Sequence, residues 1–245
     1  MNSEVFIADR FIKAIDDNFS ANSDLLSEVA QSLFSTIQKG GIVQLFGVGP
    51  GEEFVNELFF RAGGLSPFHG IKVSDLLTRG MIEQSKIDDM SVYQDASILE
   101  DLLSIYKLDD RDAYVLVSQK GNEPLIVKMA LNAKRKGQKV IALVNKNSYD
   151  VLPAIDDSGK RLLDIADLAI MTTLDEPDIL AEVDGHSVGQ LFGTVANVLA
   201  QCLEAEIYKL YVENGIEAPV LLSANVKGAD VHNNALTDAY EGRVR

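Results

Sequence analysis

The chain has 245 residues and a formal net charge of −15, because 37 acidic residues outnumber 22 Lys and Arg residues. This balance argues against a nucleic-acid surface and against binding to anionic membranes, since both require a basic face. The hydrophobic share of 47% and the charged share of 24% are typical of a chain that buries an ordinary core. At this length we expect one large α/β domain with helical additions.

Cysteine use and the first residues point to the cytoplasm. The one cysteine cannot form a disulfide within the chain, and no Cys/His spacing typical of zinc is present. The opening residues MNSEVFIADR contain acids and no long apolar run, which argues against a signal peptide. No apolar stretch reaches the length of a membrane span. We therefore expect a cytoplasmic protein without a metal or an organic cofactor.

Two amphipathic helices are predicted first, over residues 6–19 and 25–37, with a polar break at residues 20–23. Helical patterns then alternate with short apolar runs, which predicts a parallel sheet covered by helices on both faces. The runs typical of buried strands are residues 42–47, 65–71, 112–118, 139–144 and 167–173.

The later helices have recognisable boundaries. Asn122 is expected to cap a helix that ends before Gly137, with Pro124 in its first turn. A long helix is predicted from about Ser187 to Val212, with Ser187 as its cap. We divide the chain into a helical extension, a central domain and a tail that packs on the domain or on a partner subunit. Their bounds are residues 1–39, 40–213 and 214–245.

Two loops have a composition that suits an anionic ligand. Loop 1 (residues 47–51, GVGPG) and loop 2 (residues 118–122, SQKGN) each follow a strand and precede a helix. Backbone N–H groups at such a junction can bind an anion, although a tight turn alone also explains the glycines. The candidate ligand-binding residues are Gly47, Gly49, Gly51, Ser118, Lys120, Gly121 and Asn122.

Several segments resemble the SIS, or sugar isomerase, domain family. Loop 1 precedes a helix and the residues FFRAGGLSP, which is similar to the opening of that domain. The segment VLVSQKGNEPLIVKMALNAKRKGQKVIALVN resembles the second signature of the SIS domain. SGKRLLDIADLAI and LLSANVKGADVHNNAL resemble a bacterial branch of single-domain proteins described as similar to phosphoheptose isomerases.

The resemblance, which spans nearly the whole chain, implies a three-layer α/β/α sandwich with a five-stranded parallel sheet in flavodoxin-like order. It further implies a homodimer or a dimer of dimers. Loops 1 and 2 would then converge and bind a phosphorylated sugar.

The resemblance also implies roles for residues outside the loops. Glu57 would be the base of an aldose–ketose isomerisation through an enediol, with His232 assisting from the tail. His186 and Ser187 would approach the ligand. A helix-surface pair with Arg61 is the alternative that the spacing favours for Glu57, and a zinc site of Glu57, His186 and His232 has no support in the spacing.

Three departures from the family pattern keep other functions open. Pro50 and Gly51 end loop 1, and Lys120 replaces a hydroxyl residue of loop 2. Fewer hydroxyl donors favour a sensor that binds a sugar phosphate without chemistry, and a lyase acting on an amino-sugar phosphate ether would share the site. His69, at the end of a short strand, is expected to be structural.

Overall fold

The central sheet dominates the computed structural model, which describes residues 3–175 and 178–244. Its five strands are all parallel and lie in the order β2-β1-β3-β4-β5. They are β1 (Val43–Val48), β2 (Phe68–Gly70), β3 (Ala113–Ser118), β4 (Lys139–Asn145) and β5 (Leu168–Thr172). The predicted strands and the flavodoxin-like order are confirmed.

Helices cover both faces of the sheet, as the fully buried strands require. The helices are α1 (Ser3–Gln38), α2 (Gly51–Leu58), α3 (Ser74–Thr78), α4 (Gln84–Asp88), α5 (Leu99–Ser104), α6 (Pro124–Arg135), α7 (Lys146–Val151), α8 (Phe192–Glu213) and α9 (Ala229–Ala239). Leu45 and Val115 pack in the core beside α1, α2 and α8, whereas Phe46 and Leu116 pack in the core on the opposite face. In the described part of the chain, no helix is long and apolar enough to cross a membrane.

The predicted break near the N-terminus is wrong, because α1 continues through residues 20–23 as one helix. Asn18 and Asn22, two buried polar residues, turn towards strand β5. The Asn22 side chain donates to the Met171 carbonyl at 3.0 Å and accepts from the Met171 amide at 3.1 Å. These polar positions therefore satisfy backbone groups at the edge of the sheet instead of interrupting the helix.

A β-hairpin stands where the start of the last long helix was predicted. Strands β6 (Ile179–Val183) and β7 (His186–Gln190) pair antiparallel, and α8 begins at Phe192. Asp184 and Gly185 form the turn with positive φ angles of 50° and 76°, which is the backbone that an Asp-Gly hairpin favours. Ser187 is therefore a strand residue and does not cap α8.

The C-terminal segment packs on the body of the molecule. Val220 forms an antiparallel bridge with Leu65, and Val244 is fully buried. The Arg243 guanidinium forms an ion pair with the buried Asp112 carboxylate, which directly precedes β3. These contacts agree with a tail that packs on the domain, while the three-part division itself stays a prediction.

Candidate ligand site at loops 1 and 2

Loops 1 and 2 lie side by side at the carboxyl edge of the sheet. β1 and β3 are neighbours, and the last pair in their register is Val48 with Ser118. A Cβ atom at Gly47 would collide with the backbone of Gly51, and one at Gly51 would collide with the Val117 carbonyl. The two glycines are therefore required by close backbone packing, which also brings the loops together.

Loop 2 is held by the side chain of Ser118. Its buried hydroxyl accepts from the amides of Gly121 at 2.8 Å and Lys120 at 3.1 Å, and it donates to Glu123 Oε2 at 2.7 Å. Glu123 is only 6% exposed and precedes Pro124, the first residue of α6. An anion that binds these amides must therefore compete with Ser118, while the exposed Lys120 side chain adds a positive charge at the loop.

Asn122 has a different role from the predicted cap. Its Nδ2 donates to the Pro153 carbonyl at 3.0 Å, and Glu123 occupies the cap position of α6. The prediction that Asn122 caps this helix is wrong because its amide fixes the neighbouring segment after α7. Asn122 nevertheless stays within loop 2, at the edge where a ligand would bind.

Loop 1 is covered by a segment that the sequence did not connect with it. The Tyr93 hydroxyl donates to Glu52 Oε1 at the start of α2. Met90 Cε would lie 3.1 Å from a Cβ atom at Gly49. Burial, and then the hydrogen bond to Glu52, raises the pKa of Tyr93 well above its usual range, so that its phenol stays protonated. Glu52 and Tyr93 therefore form a hydrogen-bonded carboxylate–phenol pair beside loop 1.

Glu57 lies farther along α2 and contacts α8. It is six residues after Gly51, which corresponds to about 9 Å along the helix. Its Oε1 is 3.3 Å from Arg61 Nε and also accepts a hydrogen bond from Gln201. Arg61 bridges on to the buried Glu204 at 2.6 Å. The predicted Glu57–Arg61 pair is present, and it holds the carboxylate at the α2–α8 interface.

The other predicted residues lie on separate elements. His186 and Ser187 are exposed on the β6–β7 hairpin, whose Gln190 approaches Gln119 of loop 2 at 3.5 Å. His232 lies on α9, and its Nε2 is 2.9 Å from the Val220 carbonyl. Among the described residues, no three His, Cys, Asp or Glu side chains form a group that could hold a metal ion.

The chain is therefore an α/β protein whose paired loops lie at the switch point of its sheet, the place where open α/β sheets generally bind ligands. The chain belongs to the SIS domain family, whose model matches residues 9–145. It is 32% identical over 225 residues to a UPF0309 protein of Geobacillus thermodenitrificans, covering 90% of this chain and 88% of that protein. It is 31% identical over 221 residues to the Lysinibacillus sphaericus UPF0309 protein in the nagA 3′ region, with 90% and 89% covered.

A solved structure shares the fold at low sequence identity. A phosphoheptose isomerase from Francisella tularensis superposes with a TM-score of 0.52 at 16% identity, covering 81% of this chain and 92% of that chain. This similarity supports the fold that the sequence predicts.

Proposed function

We propose that this protein binds a phosphorylated sugar at loops 1 and 2. The observation that carries the proposal is the register of β1 with β3, which places two glycine-containing loops side by side. Backbone amides of both loops and the Lys120 ammonium would bind the phosphate, which needs no basic face elsewhere on the chain. Solved SIS-domain structures include a phosphoheptose isomerase, which supports a sugar phosphate as the ligand class.

Aldose–ketose isomerisation is the second candidate, and the Glu52–Tyr93 pair favours it. A base must remove a proton next to the carbonyl, and an acid must protonate its oxygen. The Glu52 carboxylate beside loop 1 could act as the base, and the protonated Tyr93 phenol could donate a hydrogen bond to the carbonyl oxygen. Glu57 and His232 remain candidates by family resemblance, although Glu57 would first have to leave Arg61 and Gln201. The non-catalytic sensor and the ether lyase would use the same phosphate site.

Binding is tested with a thermal-shift panel of hexose, heptose and amino-sugar phosphates, followed by calorimetry for any ligand that stabilises the protein. We expect Lys120→Gln to weaken the affinity about tenfold, because a charge-assisted hydrogen bond is lost. Lys136→Gln is the matched control, since Lys136 is an exposed lysine at the opposite end of α6. Equal affinities in both variants, or no stabilisation by any sugar phosphate, would contradict the proposal.

Catalysis is tested by proton exchange from C2 of the bound sugar into deuterated water. Loss of exchange in Glu52→Gln, with exchange retained in Glu57→Gln, would support Glu52 as the base. The reverse result would make Glu57 the base. Binding without exchange in the unaltered protein would identify the sensor.

The homodimer and the cytoplasmic location stay predictions. Ile12 and Phe19 lie seven residues apart on α1, and their side chains are 64% and 40% exposed. Two apolar side chains at this spacing share one face of the helix, which could pack against a second copy. The molar mass in solution, measured by light scattering, tests the dimer.

A further inference from the structure

A cavity lies beside the edge strand β2. Its volume is about 430 Å³. The residues that matter for its chemistry are Phe59, His69, Lys72, Asp75, Arg79 and Tyr106. No lining residue belongs to loop 1 or loop 2, so the cavity is separate from the site proposed above.

Two cations line this cavity in a strongly acidic chain. Within the described residues, neither Lys72 nor Arg79 has a carboxylate partner within 4.0 Å. Lys72 Nζ donates to Asn56 at 2.7 Å, which leaves its charge uncompensated. Asp75 is the opposing charge, and it accepts the Tyr106 hydroxyl at 2.7 Å. Two positive charges and one negative charge line the cavity, and this balance favours an anion as the ligand.

His69 supplies a hydrogen-bond acceptor at the same place. Asp112 accepts from Gln44 Nε2 at 2.9 Å, which orients the Gln44 amide so that its oxygen faces His69. His69 Nδ1, 2.8 Å from that oxygen, must therefore donate. The neutral ring then carries its lone pair on Nε2, which has no hydrogen-bond partner among the described residues. His69 lines the cavity and is only 3% exposed, so this lone pair has little access to water and is left for a bound molecule.

Aromatic rings fix the position of the His69 imidazole. Its ring centroid lies 5.6 Å from that of Phe59 and 5.0 Å from that of Tyr106, and both contacts are edge-to-face. Lys72 Nζ lies 5.4 Å from the Phe59 ring centroid. The cavity thus combines a rigid apolar wall with groups of defined polarity, as small-molecule sites do.

We propose that this cavity binds a small phosphate ester that carries a free hydroxyl group. Lys72 and Arg79 bind the phosphate, His69 Nε2 accepts the hydroxyl proton, and the ligand body packs on the aromatic wall. The proposal does not depend on the function of loops 1 and 2. A ligand bound to His69 would be linked by hydrogen bonds through Gln44 and Asp112 to the tail residue Arg243.

The test is a titration with glycerol 2-phosphate, followed through the ring-nitrogen resonances of His69 in the ¹⁵N-labelled full-length protein. His69→Gln assigns the signal, and His186 and His232 are internal controls. We expect the Nε2 resonance to move on binding and Arg79→Gln to weaken the affinity about tenfold. Isopropyl phosphate, with the same carbon skeleton and no hydroxyl, should bind about threefold to tenfold more weakly.

Lys120→Gln distinguishes the cavity from the loops. Unchanged affinity in Lys120→Gln together with weaker binding in Arg79→Gln would support the cavity. If Lys120→Gln weakens binding and Arg79→Gln does not, the ester binds at the loops and the cavity proposal is wrong. An unmoved His69 signal at saturation would overturn it as well. Arg79 is exposed, so its substitution should leave the fold intact.

Discussion

The two ends of strand β3 each carry a polar residue that joins several hydrogen bonds, but they do so in different ways. At the amino end, the Asp112 carboxylate accepts from the Ile42 amide at 3.0 Å and from Gln44 Nε2 at 2.9 Å, and it pairs with Arg243. At the carboxyl end, the hydroxyl of Ser118 accepts two loop amides and donates to Glu123.

The hydrogen bonds of Asp112 form a rigid structural network, whereas those of Ser118 can rearrange. Asp112 brings a charge into the interior, where its partners Ile42 and Gln44 are fully buried and Arg243 is half-buried. Ser118 is neutral, and the loop above it exposes Lys120 to solvent. Losing a buried charge partner is costly, whereas a hydroxyl contributes less and its amide donors can turn to another acceptor. We therefore expect stability to depend most on the amino end and ligand binding on the carboxyl end.

Removing the carboxylate of Asp112 should disrupt the hydrogen-bond network at the amino end of β3. Asp112→Ala leaves the Arg243 guanidinium and the Gln44 amide without their acceptor, and we expect a loss of about 3–5 kcal/mol in the free energy of unfolding. Urea denaturation followed by circular dichroism measures it. Asp110→Ala is the matched control, because that carboxylate is exposed and its loss should change stability by less than about 0.5 kcal/mol. Equal stability of the two variants would show that the buried network is dispensable.

The same network predicts a pH dependence through His69. Burial lowers the pKa of His69 to about 4, against the weaker opposite effects of Asp75 and Asp112 and with a small contribution from Arg243. Above pH 6.5 the His69 ring is neutral in both the folded and the unfolded chain, so its full contribution to the free energy of unfolding is present. Between pH 6.5 and 4 only the unfolded chain binds the proton, and the free energy of unfolding should fall by about 3 kcal/mol.

Denaturant midpoints measured across this pH range check the sign. His69→Gln has no titrating ring at this position, so its stability should fall less steeply than that of the unaltered protein between pH 6.5 and 4. Parallel curves for the two proteins would mean that His69 titrates normally in the folded state.

Sequence patterns predicted the sheet because its strands are short, mainly apolar runs that alternate with helical patterns. The loops could be found for the same reason, since loops 1 and 2 each follow a recognisable strand. The predicted helix boundaries were wrong where a polar side chain forms a hydrogen bond with a distant part of the chain. Asn22 bonds to β5 and Asn122 bonds to the Pro153 carbonyl, so neither marks the helix end that its type suggests.

Other features depended on contacts between distant parts of the chain. Tyr93 meets Glu52 across 41 residues, and Arg243 meets Asp112 across 131 residues, which no local pattern shows. One signal was present, since Gln44 is a polar residue inside the apolar run IVQLFG. A buried amide in a strand requires polar partners, and those partners are His69 and Asp112. The Asp-Gly pair at residues 184–185 likewise indicated the hairpin.

Substitution of Ser118 tests how much the carboxyl end of β3 contributes to stability, in comparison with Asp112 at the amino end. Ser118→Ala removes the acceptor of the Gly121 and Lys120 amides and the donor to Glu123, and we expect a loss of about 1–3 kcal/mol. Lys120→Gln should change the free energy of unfolding by less than about 0.5 kcal/mol, because its side chain is exposed. Urea denaturation without ligand measures both. If Ser118→Ala proved as stable as the unaltered protein, the loop amides would be free for an anion at no cost, and Ser118 would belong to the ligand site rather than to the support of the loop.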